Sequence, residues 1–134
     1  MKWFIVLLAS GQLLIAGFSH AYTSQSESLE VIMKSFSFEY RQAVESESSE
    51  NRLQHVHQMQ KKINAAMQAP LRDDKAEQFL QGFHKVAAVL EQVEQAVMAG
   101  NHQLADEKLV KIDQLRIEYH RLRKRSIWQL LFGR

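Results

Sequence analysis

The chain has 134 residues, with one proline, five glycines and no cysteine. That length fits one domain, and the missing cysteine excludes disulfides, a thiolate nucleophile, cysteine-ligated zinc, iron–sulfur clusters and covalent haem attachment. So few prolines and glycines argue against the many turns of a β-sandwich or barrel, and 17 basic against 15 acidic side chains give no global field that draws the chain onto nucleic acid.

Met1 and Lys2 precede an apolar run from Trp3 to Phe18, which Ser19-His20-Ala21 closes in a small-x-Ala pattern. That is the order of a secretory signal peptide, cleaved after Ala21. An uncleaved membrane anchor is the competing reading. Gly11 and Gln12 break the run, leaving it short of the roughly 20 apolar residues a spanning helix needs. Loss of Lys2 lowers the formal charge from +2 to +1. The single-lysine leader looks bacterial and places the mature chain, residues 22–134, in the periplasm.

Four periodic segments follow. Ser24 and Glu27 have capping-box spacing ahead of a stripe at Leu29, Ile32, Met33, Phe36, Tyr40 and Val44, the three-and-four spacing of one helix face. A polar run, residues 45–50, reads as a turn. A second stripe at Leu53, Val56, Met59, Ile63 and Met67 ends at Ala69-Pro70, because the residue before proline is pushed out of the helical region. Asp74-x-x-Glu77 opens a third stripe at Phe79, Phe83, Val86, Leu90, Val93 and Val97. Gly100 is a left-handed cap and Asn101 an N-cap. The fourth stripe holds Leu104, Ala105, Leu109, Ile112, Arg116 and Tyr119. The prediction is an all-α, antiparallel up-down-up-down four-helix bundle.

In that topology the start of the first and third helices shares one end with the close of the second and fourth. Met33, Phe79, Phe83 and His120 all fall there. A thioether and an imidazole facing each other across an aromatic-walled pocket suit a six-coordinate haem iron. On geometry alone the plainer reading stays open, because a methionine on an apolar face is usually a core gap-filler and a histidine near a helix C-terminus is usually a dipole partner.

Two sequence stretches sharpen this. Gln78-Phe79-Leu80-Gln81-Gly82-Phe83 resembles the Phe-x-x-Gly-Phe opening of helix three in the soluble cytochrome b562 family, and Leu29-Glu30-x-x-Met33 resembles that family's start of helix one. Gly100 and Arg116-x-x-Tyr119-His120 follow at the family's spacing. The resemblance covers about residues 22–45 and 76–125; helix two matches only in pattern. It implies one non-covalently held haem b with Met33 and His120 as axial ligands of the iron, Phe79 and Phe83 lining its pocket, and Arg116 near the haem edge or simply on the surface. It also implies electron transport without enzymatic activity, and redox partner proteins that the sequence does not name. A monomer is expected.

Two features depart from the family pattern. The link around residues 70–73 is shorter, and the tail is longer: a basic segment at residues 121–125 precedes Ile127, Trp128, Leu130, Leu131 and Phe132. Ile127, Leu130 and Leu131 keep helical spacing, so helix four can continue past His120. The favoured reading is a tail that frays or folds back on the bundle; contact with an anionic lipid surface is the weaker alternative. His55 and His57 lie two apart and so on different helix faces, which argues for solvated histidines rather than a metal pair. His84 and His102 read as isolated surface groups. The rival function is a haem-free periplasmic bundle that binds another protein or an unfolded chain.

Overall fold

The computed structural model describes residues 27–71 and 75–132, with side chains through Arg121. The leader, the expected caps at Ser24 and Asp74 and the side chains of the tail lie outside them. Four helices follow one another: α1 (Leu29–Glu45), α2 (Ser49–Gln68), α3 (Ala76–Met98) and α4 (His102–Phe132). Among the described residues there is no strand.

Each boundary has a local cause. The cap that opens α1 is Ser28, whose Oγ accepts from the Val31 N–H at 3.4 Å. Ser48 does the same for α2, accepting from Asn51 N–H at 3.2 Å. That cap shortens the expected polar turn, since α2 already begins at Ser49. Ala69 is extended (φ −68°, ψ 143°) ahead of Pro70, which ends α2. α3 starts after Lys75, which makes no side-chain cap hydrogen bond.

The α3–α4 turn is the best determined by chemistry. Gly100 has φ +71°, its N–H bonds to Val97 O at 3.0 Å, and Asn101 N–H bonds to Ala96 O at 2.9 Å. That pair is a Schellman closure, which needs a residue tolerant of the left-handed region. The Asn101 side chain then accepts from Leu104 N–H at 3.1 Å and caps α4.

The core takes residues from every helix: Ile32, Phe36 and Ala43; Val56, Met59, Ile63 and Ala66; Phe83, Val86, Leu90, Val93, Ala96 and Val97; Ala105, Leu109, Ile112 and Leu115. Three stripe positions differ from expectation. Val44 is 46% exposed while its neighbour Ala43 is fully buried, Arg116 is exposed while its neighbour Leu115 is buried, and Leu104 is exposed. Where a helix face turns from core to solvent, the packing partner decides which residue goes in.

Arg52 is the buried cation among the described residues. Its Nε donates to Ala43 O at 3.1 Å, one Nη to Ser46 O at 3.2 Å and the other to Asp106 at 3.0 Å. It thereby satisfies carbonyls left open at the end of α1 and ties them to α4. Each of α1–α2, α2–α3 and α3–α4 is a closely packed pair, whereas α1 and α4 touch little. α4 has 31 residues against 23 in α3, a difference of about 12 Å at 1.5 Å per residue. It runs as one helix to Phe132 and so does not fold back.

Candidate functional site

Where α1 and α4 part, a cavity of about 770 Å³ opens, within the roughly 300–1,000 Å³ usual for cofactor sites. Its lining combines residues of α1, the end of α2, the first half of α3 and the middle turns of α4. All four helices thus contribute to one cavity.

The lining is graded by depth. Phe36, Ile63, Phe83, Val86, Ile112 and Leu115 are buried and form its floor; Leu29, Met33, Leu71, Phe79 and Tyr119 are half-buried. Glu30, Lys34, Arg41, Arg116 and His120 are exposed at the mouth. All five residues singled out in the sequence, Met33, Phe79, Phe83, Arg116 and His120, line this cavity. The His120 side chain has no hydrogen-bond or ion-pair partner among the described residues. Arg116 is at the rim but committed to Asp113, with Nε at 2.9 Å and Nη2 at 2.8 Å.

Tyr40 sits beside the same seam. Its hydroxyl pKa is raised, first by burial and then by the negative field of Asp113, against the opposing Arg116 charge. A tyrosine held neutral there is a packing group rather than an anion.

Several lining residues were not anticipated from the sequence. Arg41 and Ser37 follow Met33 at successive four-residue steps on α1, a spacing that could have flagged them. Gly82 accommodates the Tyr119 ring: a Cβ built on it would lie 2.5–2.7 Å from three ring carbons. The glycine of Phe-x-x-Gly-Phe therefore lets α3 approach the turn of α4 that carries His120.

The other histidines are not simply solvated. His55 Nδ1 lies 2.7 Å from Glu39 on α1, and His57 Nε2 lies 2.7 Å from Glu94 on α3. They fasten α2 to both neighbours and point apart, as their spacing required. Among the described residues no group of three or more His, Cys, Asp or Glu side chains could hold a metal ion. His84 and His102 are exposed.

A helical bundle with a largely apolar, cofactor-sized cavity, a thioether in its wall and an imidazole at its mouth belongs to the class of cofactor-holding bundles. Comparison with protein families makes this specific. The sequence profile of the family described as cytochrome b562 matches residues 28–124, and the chain belongs to that family. The family consists of electron carriers, not enzymes, that hold haem b non-covalently. Comparisons with curated proteins and with solved structures gave no match. No described helix is long and apolar enough to cross a membrane.

Proposed function

We propose that the chain is a periplasmic one-electron carrier in which Met33 and His120 are the axial ligands of one non-covalently bound haem b. The observation that carries this reading is the presence of Met33, His120, Phe79 and Phe83 together in the lining of one cavity. The residues fit the group. The buried floor is apolar and suits a macrocycle, the thioether and imidazole are a soft and a nitrogen ligand for iron, and the cations at the mouth suit its carboxylates.

Bound haem b supplies a one-electron iron couple. The protein's part is to bind, orient and exclude. Phe36, Phe83 and Ile112 keep water from the cavity floor, and a drier environment strengthens every electrostatic effect on the charge change. Phe79 forms part of the wall, and Arg116 flanks the haem edge. Two protein ligands on one iron leave no position for oxygen or a substrate, which suits transfer of electrons rather than catalysis.

The periplasmic location rests on the leader pattern of residues 1–21. Redox partner proteins are implied, and the carrier works as a monomer. Titration of the mature chain with haemin tests the reading. A sharp, split reduced spectrum of six-coordinate low-spin iron at one haem per chain is expected. A broad spectrum like that of free haem would overturn it in favour of a haem-free protein-binding bundle.

A further inference from the structure

We propose that Arg41 is the residue that takes a carboxylate of the bound porphyrin, forming an anion subsite at the mouth of the cavity. This inference rests on the haem reading above. Three cations line the cavity, Lys34, Arg41 and Arg116, against one carboxylate, Glu30. Two of the three are already engaged. Lys34 Nζ lies 2.9 Å from Glu30, and Arg116 makes two contacts with Asp113. Arg41 has no ion pair or side-chain hydrogen bond among the described residues. The mouth therefore carries one uncompensated guanidinium.

Its place on α1 fits the same use. Met33, Ser37 and Arg41 are spaced four apart, so they form one stripe along the cavity, and Arg41 is about 12 Å of helix rise from Met33. Between them Ser37 has no donor to give, because its hydroxyl donates to Met33 O at 3.0 Å. Arg41 is thus the first free donor on the stripe beyond Met33.

The chemistry of the porphyrin supplies the demand. It carries two carboxylates on one edge, ionised at neutral pH, and burying them unpaired is costly. That edge belongs at the exposed mouth, where a planar guanidinium matches a carboxylate through paired N–H donors.

The test compares haemin with its dimethyl ester, which has the same ring and iron but no free carboxylate. Each is titrated by absorbance into the wild-type chain, Arg41→Ala and Arg41→Lys. Arg41→Ala should bind haemin about tenfold more weakly, the scale of one charge-assisted hydrogen bond at an exposed position. It should bind the diester as the wild type does, and Arg41→Lys should recover most of the haemin affinity. Equal losses for both ligands would make Arg41 a packing residue and overturn the proposal, as would unchanged haemin affinity in Arg41→Ala. A wild-type chain that binds neither ligand would overturn the haem reading itself, and a wild-type chain that binds both equally would overturn only the subsite.

Discussion

Gly82 on α3 and Tyr119 on α4 pack so closely that a Cβ on the glycine would stand 2.5 Å from the tyrosine ring. Tyr119 immediately precedes His120, so this contact helps fix the rotation of the turn that carries the proposed ligand. Gly82→Ala gains roughly 1 kcal/mol of helix propensity but forces the ring aside, an overpacking cost of about 1–3 kcal/mol. The expected outcome is modest destabilisation in urea melts together with weaker haem binding. In a Tyr119→Ala background the same change should be neutral or stabilising, because the clash is gone. A double-mutant cycle checks this, and additive effects would refute the coupling.

Arg52 works at the other end of the bundle, 8% exposed and holding the carbonyls of Ala43 and Ser46 at the close of α1. Arg52→Ala leaves those carbonyls without their donor and should cost about 1–3 kcal/mol. Asp106, by contrast, is 62% exposed at its side chain, and Asp106→Asn should cost under about 1 kcal/mol. Chemical denaturation of both variants gives the comparison. Haem affinity should be unchanged in each, since neither residue lines the cavity.

Glu94 supplies the pH dependence. Hydrogen bonds from Gln60 and then His57 hold its carboxyl below the usual value of 4.5, with contacts of 2.7 Å each. A folded-state pKa below the unfolded one adds stability that is fully present above pH 4.5 and is lost as pH falls through the folded value. Thermal melts should therefore drop on acidification below about pH 4.5, and Glu94→Gln should flatten that limb. An acid limb of unchanged steepness in the variant would rule Glu94 out as its source.

The stretch of α4 beyond His120 should be dispensable for the cavity, whose lining among the described residues reaches no further than His120. A chain lacking residues 126–134 should keep the full-length haem spectrum and affinity. With anionic vesicles at low salt, both forms should remain in the supernatant. Sedimentation of the full-length chain alone, reversed by salt, would instead establish lipid contact through the tail.

Much of this was legible in the sequence, for a physical reason: helical periodicity reports which face of a segment meets the core. Four stripes, the stop at Pro70 and the Gly100–Asn101 closure were readable because each depends on neighbours within a few positions. At the edges of a face periodicity is silent, hence the exchange of Val44 for Ala43 and of Arg116 for Leu115. Arg52 was unreadable for a different reason. It bonds to Ala43, Ser46 and Asp106 only once three helices are assembled, and a lone arginine in a polar segment gives no sign of that. For the cavity, the two ligand candidates and the two phenylalanines were legible through motif spacing. Arg41 was not singled out, because its significance depends on Lys34 and Arg116 being paired elsewhere.

The most direct test of the account is the reduced absorbance spectrum of the haem-loaded Met33→Ala and His120→Ala variants, recorded beside the wild type. Loss of the thioether should leave haem bound through His120, shift the iron toward high spin and lower its potential, because a thioether ligand raises it. Loss of the imidazole should weaken haem binding more than loss of the thioether does. Wild-type spectra and affinity in both variants would contradict the assignment of Met33 and His120 as the iron ligands.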